Sequence, residues 1–170
     1  MGKTILITGG QRSGKSEFAE RLALSMSDRP VYIATARIYD EEFRRRVEAH
    51  KARRGPCWTS VEEPLYPSRY SHTGATVLLD CITLWATNMF FEHGEDVNKA
   101  YAAFCNEFDA FVADDADYIL VTNEIGMGGT SDNPMQRRFT DLQGLVNRYV
   151  AERSDEVYLL ISGIDVKIKG

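Results

Sequence analysis

Apolar positions along this chain alternate between two regimes. Short runs of aliphatic and β-branched residues occur at 4–8, 31–35, 76–80, 118–122 and 156–162. Between them lie longer stretches, 16–26, 40–54, 82–92, 97–112 and 134–153, in which apolar residues return every three or four positions. Unbroken apolar runs of four to six residues read as strands covered on both faces, and the longer periodic stretches as amphipathic helices. Strand and helix in alternation predict a parallel sheet with crossover helices on its two sides. Residues 58–63 give a weaker strand, and Pro64 and Pro67 then force an irregular crossing. The tail from Ile164 to Lys169 alternates apolar with charged positions, the pattern of an added edge strand. Phe104, Phe108 and Phe111 recur at helical spacing and read as core. The expectation is one α/β domain over residues 1–170, a mostly parallel sheet flanked by helices.

Composition narrows the function classes. The formal net charge is −5, which argues against a protein that coats nucleic acid through bulk charge. No stretch approaches the roughly 18 apolar residues of a membrane span. Cys57, Cys81 and Cys105 are widely spaced and form no C-x-x-C pair, so neither a disulfide framework nor a zinc site is expected. Thiols in that arrangement suit a reducing cytoplasm.

The turn after the first strand carries the strongest chemical signal. Gly9, Gly10, Gln11, Arg12, Ser13, Gly14, Lys15 and Ser16 fill the pattern G-x-x-x-x-G-K-[ST], with a strand before and a helix after. Glycines there let successive backbone N–H groups close around phosphate oxygens, and the helix N-terminus adds positive potential. Lys15 is placed to reach the terminal phosphates and Ser16 to offer a hydroxyl to Mg²⁺. The reading is a P-loop nucleoside triphosphate site. The run 76–80 ends in Asp80, which suits the carboxylate that supports Mg²⁺ in such proteins.

The helix over 40–54 is the unusual one. Phe43, Val47 and His50 share a face at i, i+4 and i+7, and Arg46, Arg53 and Arg54 lie within three or four positions of His50. A histidine at the edge of the core fits this pattern. An imidazole nucleophile held beside phosphates, with arginines neutralising developing charge, fits it too. The glycine-rich segment 123–134 follows a strand and falls where open α/β sheets place ligands, or it is a mobile connector. A nucleotide-binding switch is disfavoured, because no Asn-Lys-x-Asp guanine-reading motif follows any strand.

Taken together, the motifs resemble those of the bifunctional adenosylcobinamide kinase/adenosylcobinamide-phosphate guanylyltransferases. The loop Gly9 to Ser16 resembles the family's G-G-x-R-S-G-K-S, and Tyr32-Ile33-Ala34-Thr35 its second strand. Arg46, His50, Arg53 and Arg54, with Trp58 and Glu62 downstream, resemble its R-I-x-x-H-x-x-R-R stretch. Leu78-Leu79-Asp80-Cys81 with Thr83, Trp85, Thr87 and Asn88 resembles L-L-D-C-x-T-x-W-x-T-N. Val121 to Gly128, Arg138 to Asp141, Gly144, Asn147 and Ser162-Gly163 continue the likeness. One segment departs: Gly129-Thr130-Ser131-Asp132-Asn133 replaces an aliphatic-Pro-Glu-Asn run.

The resemblance implies two reactions. A nucleoside triphosphate, ATP or GTP, phosphorylates adenosylcobinamide, and GMP from GTP then passes to the corrinoid phosphate. It implies that His50 carries GMP between those partners, with Lys15 the other catalytic residue. The nucleotide site it implies takes Gly9, Gly10, Gln11, Arg12, Ser13, Gly14, Lys15, Ser16, Ile33, Ala34, Thr35, Lys51, Ala52, Arg53, Arg54, Glu62 and Asp80, with Ser16 and Asp80 towards Mg²⁺. It also implies a homotrimer. A simple P-loop kinase for a small metabolite remains the alternative, with His50 structural.

Overall fold

The computed structural model describes residues 2–170. Among the described residues, seven strands form one sheet in the order β3-β2-β4-β5-β1-β6-β7. They are β1 (Thr4–Gly9), β2 (Val31–Ala34), β3 (Thr59–Glu62), β4 (Thr76–Asp80), β5 (Asp117–Asn123), β6 (Glu156–Ile161) and β7 (Ile164–Lys169). All neighbours pair in parallel except β7, which returns antiparallel along β6 as the alternating tail predicts. The helices are α1 (Lys15–Met26), α2 (Glu41–Arg53), α3 (Ile82–Glu92), α4 (Val97–Phe111) and α5 (Pro134–Arg153).

The two-residue period of the strands divides the core in two. Leu6, Val77, Leu79, Tyr118, Leu120 and Val157 point to one face, against α3, α4 and α5. Phe104, Phe108 and Phe111 are fully buried there, as their spacing predicts. Ile5, Ile7, Tyr32, Leu78, Ile119 and Val121 point to the other face, where Ala19 and Ala23 of α1 cover them.

Element ends differ from expectation by a residue or two, each for a local reason. Asp40 caps α2 instead of joining it, its carboxylate accepting from Phe43 N at 2.7 Å. Thr35 leaves β2 because its hydroxyl donates to Cys81 O at 2.7 Å and accepts from Cys81 N at 3.1 Å. The segment after β5 is pinned at both ends. Glu124 accepts from the backbone of Gly126 and Met127, each at 3.0 Å, and Asn133 caps α5. Arg137 donates to the carbonyls of Ser131 and Asp132 at 2.9 and 3.0 Å, so the stretch that departs from the family pattern folds back onto α5.

Candidate active site

The loop between β1 and α1 has its shape imposed from both sides. A Cβ on Gly9 would lie 2.7 Å from Leu160 O on β6 and 2.8 Å from Ser13 Oγ, so no side chain fits. Gly14 caps α1 with φ 93°, a left-handed conformation that costs glycine little. The turn joining β6 to β7 braces the loop, with Gly163 N donating to Ser13 O at 2.9 Å. Lys15 is buried and its ammonium donates to Gly10 O at 2.7 Å. Burial lowers the pKa of that ammonium, opposed in part by Cys81 and Asp80.

Asp80 closes one end of the loop. Ser16 Oγ donates to Asp80 Oδ2 at 3.2 Å, and Tyr32 OH donates to the same oxygen at 2.9 Å. A hydroxyl and a carboxylate side by side are the hard oxygen donors that suit Mg²⁺, which usually fills its remaining positions with water and phosphate. Burial, with Asp80 adding to it, raises the Tyr32 phenol well above its ordinary range, so it stays a donor. The Cys81 thiol is pushed up to about 12, by burial first and then by Asp80, and is no nucleophile at neutral pH.

Facing the loop across a cavity of about 630 Å³ is α2. Phe43, Arg46, Val47, His50, Arg53 and Arg54 all line that cavity, together with Gln11 to Ser16, Ala34, Lys51 and Asp80. The i, i+4, i+7 face therefore points inward, but towards open space. No residue of α2 is buried and His50 is exposed, which corrects the picture of a histidine at the core edge. Arg53 ties the helix down, donating to Glu20 at 2.8 Å and Glu17 at 3.3 Å, with Nη2 3.5 Å from His50 Nδ1. Arg54 lies with its guanidinium carbon 3.4 Å from the centroid of the Tyr32 ring. Its Nε and Nη1 are buried without a hydrogen-bond partner among the described residues, an arrangement that suits an anion.

Other residues expected to touch nucleotide do not line this cavity. The Ile33 side chain is buried in the core against α3 to α5, since it alternates with Tyr32 and Ala34 along β2. Thr35 is fully buried and spends its hydroxyl on Cys81. Ala52 is exposed on α2 away from the cavity lining. Gly9 and Gly10 shape the loop without lining the cavity, and Glu62 on β3 pairs with Lys51. Sequence reasoning missed Tyr32, Leu84 and Asn123, which also line the cavity. A polar lattice behind the cavity holds the strand ends. Asn88 Nδ2 donates to Thr35 O at 2.7 Å and Pro64 O at 2.9 Å. Asn123 N donates to Thr83 Oγ1 at 2.9 Å, and Asn147 Nδ2 to Asn123 O at 3.1 Å. The Thr-Asn pairs that carried the resemblance were the available signal for this lattice.

A model of the cobinamide kinase / cobinamide phosphate guanyltransferase family matches residues 5–168. The bifunctional adenosylcobalamin biosynthesis protein of Escherichia coli K12 is 38% identical, over 97% of this chain and 99% of that protein. Its Salmonella typhimurium LT2 namesake is 39% identical over the same shares. A Pseudomonas aeruginosa protein so named is 35% identical, over 97% of this chain and 96% of its own length. Among solved structures, a Pyrococcus horikoshii OT3 chain aligns with 99% of this one and 87% of its own at a TM-score of 0.53. At 7% identity that is a likeness of fold alone. Matched over nearly its whole length by model and relatives alike, the chain belongs to the cobinamide kinase / cobinamide phosphate guanyltransferase family.

Proposed function

We propose that this chain phosphorylates adenosylcobinamide from a nucleoside triphosphate, ATP or GTP, and then transfers GMP from GTP to the product through His50. The observation that carries this reading is one cavity shared by two kinds of machinery. The phosphate loop with Ser16 and Asp80 forms one wall, and His50 among arginines forms the other. The loop and Lys15 hold the triphosphate in both reactions. When Mg²⁺ is bound beside Ser16 and Asp80, it neutralises phosphate charge.

In the kinase reaction the substrate hydroxyl attacks the γ-phosphorus, loses its proton, and a nucleoside diphosphate departs. In the transfer, the unprotonated ring nitrogen of His50 attacks the α-phosphorus of GTP. A P–N bond forms, the α–β bridging bond breaks, and pyrophosphate leaves. An oxygen of the corrinoid phosphate then attacks the same phosphorus, the P–N bond breaks, and the imidazole regains its lone pair. Arg46, Arg53 and Arg54 face the charge that builds up on the phosphoryl oxygens. Splitting the transfer lets one site discharge pyrophosphate before it accepts a bulky corrinoid. We place the enzyme in the cytoplasm as a homotrimer, acting on small corrinoids and not on nucleic acid.

His50→Asn separates the two reactions. Asparagine keeps the approximate size but forms no stable phosphoramidate, so GMP transfer is lost. Adenosylcobinamide phosphorylation, which needs no protein nucleophile, persists within about tenfold, roughly 1.4 kcal/mol of barrier. Loss of both activities in a folded variant would make His50 a shared binding residue and contradict the proposal.

A further inference from the structure

Tyr32 lines the cavity between its two walls and touches both. It is 5% exposed on β2, where it shares a face with the residues that α1 covers. In the pairing of β2 with β4, Ala34 lies opposite Asp80, and Tyr32 stands two residues earlier on the same face. The methyl group of Ala34 leaves the diagonal open, and a tyrosine is long enough to cross it. Its hydroxyl therefore reaches Asp80 Oδ2 at 2.9 Å, the oxygen that Ser16 Oγ also meets at 3.2 Å. Two donors on one carboxylate oxygen fix the rotation of the group and leave Oδ1 to either water or metal.

The ring does a second task. One face carries the Arg54 guanidinium at 3.4 Å, and the Trp58 ring lies near Tyr32 at 6.0 Å in a T-shaped contact. With its guanidinium carbon over the ring, Arg54 holds two nitrogens, Nε and Nη1, in buried positions where the described residues offer them no acceptor. Arg54 follows the last turn of α2, the helix that carries His50. One side chain thus joins the metal-side carboxylate to the arginine that ends the nucleophile's helix.

We infer that Tyr32 is a positioning residue of the nucleotide site, whose hydroxyl orients Asp80 for Mg²⁺ and whose ring orients Arg54 for a phosphate. The inference rests on reading the cavity as the Mg²⁺-nucleotide site, and it separates two contributions that a merely structural tyrosine would not separate. Tyr32→Phe keeps the ring and removes the donor. Tyr32→Leu removes both.

The test is calorimetric titration of full-length protein with a guanosine triphosphate bearing methylene between the α- and β-phosphorus, which cannot donate GMP. It is run in EDTA and across a Mg²⁺ series. In Tyr32→Phe, the Mg²⁺ concentration that half-maximally enhances binding rises about fivefold, with a smaller change in EDTA. In an Asp80→Asn background the same substitution adds nothing further. In Tyr32→Leu, affinity in EDTA falls about tenfold, matching Arg54→Ala, and the combined variant is no weaker than either. A phenylalanine variant with the parent's Mg²⁺ dependence, or leucine and Arg54 effects that add in full, overturns the inference. Should the leucine variant unfold on a melting curve, the phenylalanine arm and its Asp80→Asn cycle still decide. A parent that binds no analogue under any condition overturns the nucleotide-site reading itself, a result distinct from either variant outcome.

Discussion

Two helices border the same cavity, and they are held by opposite means. In α3, Ile82, Thr83, Trp85, Ala86, Asn88, Met89 and Phe90 are all buried, so most of its eleven residues belong to the core. In α2, none of thirteen is buried. It is held by Arg53 on Glu17 and Glu20, by Lys51 on Glu62, and by Arg54 lying over the Tyr32 ring. Exposed ion pairs are each worth about 0–1 kcal/mol, whereas burying one large side chain contributes about 1.5–3 kcal/mol. The firmly packed helix sets the groups that must stay fixed, Asp80 just before it and Thr83 beneath Asn123. On the proposed mechanism, the lightly held helix carries the residue that accepts GMP and then hands it on. A site that meets two differently shaped partners in succession gains from that division.

The contrast can be broken first at its strongest point. Trp85 is fully buried, with Nε1 donating to Leu65 O at 2.9 Å, so Trp85→Ala should destabilise the fold by about 3–5 kcal/mol. Val47→Ala on the cavity face of α2 should cost well under half of that. Chemical denaturation of both variants compares them directly, and equal losses would mean that α2 is packed as firmly as α3. Next, Lys15→Ala should lower both half-reactions at least a hundredfold, since a group aimed at transferring phosphates contributes about 3–4 kcal/mol. Normal turnover of either reaction would require a second triphosphate site.

A smaller effect sharpens the picture of α2. Arg53→Ala removes both the ion pairs to α1 and a guanidinium proposed to face the phosphoryl oxygens, and should reduce GMP transfer by about threefold to tenfold while the melting temperature hardly moves. Raising salt should act on the unsubstituted protein in the same direction, because these pairs are exposed to screening. A large drop in melting temperature on Arg53→Ala would place α2 in the cooperative core.

The smallest effect lies on the packed side. His72 is buried against Phe111, and burial lowers its pKa. The folded state then resists a proton that the unfolded chain accepts. Stability is therefore full above the unfolded value of about 6.5 and falls as pH drops below it, until the folded pKa is passed. A melting series from pH 7.5 to 5 should show this decline, and His72→Gln should flatten it. An unchanged slope in that variant would assign the decline to other groups.

Which parts of this contrast were legible in the sequence follows from how far each feature reaches along the chain. Strands and helices depend on periodicity over neighbouring residues, and the phosphate loop is contiguous, so both could be read directly. Asp80 was legible because a carboxylate ending an apolar strand is a local pattern. The face of α2 bearing His50 was legible as a direction, but periodicity does not distinguish a core from a cavity on that side. Ile33 and Thr35 were placed in the site by resemblance, whereas strand alternation turns one into the core and the hydroxyl bonds to Cys81 bury the other. Tyr32 was missed because its role arises from Asp80, 48 positions away along the chain, and from a guanidinium that reaches it through the fold.

The central claim is that the lightly held helix carries a covalent nucleophile. Intact-protein mass spectrometry after incubation with GTP and Mg²⁺ tests it most directly. The protein should gain the mass of one GMP, lose it on mild acid treatment as a P–N bond does, and show no gain in His50→Asn. An adduct that persists in His50→Asn, or that survives acid in the unsubstituted protein, would contradict the account and move the nucleophile off His50.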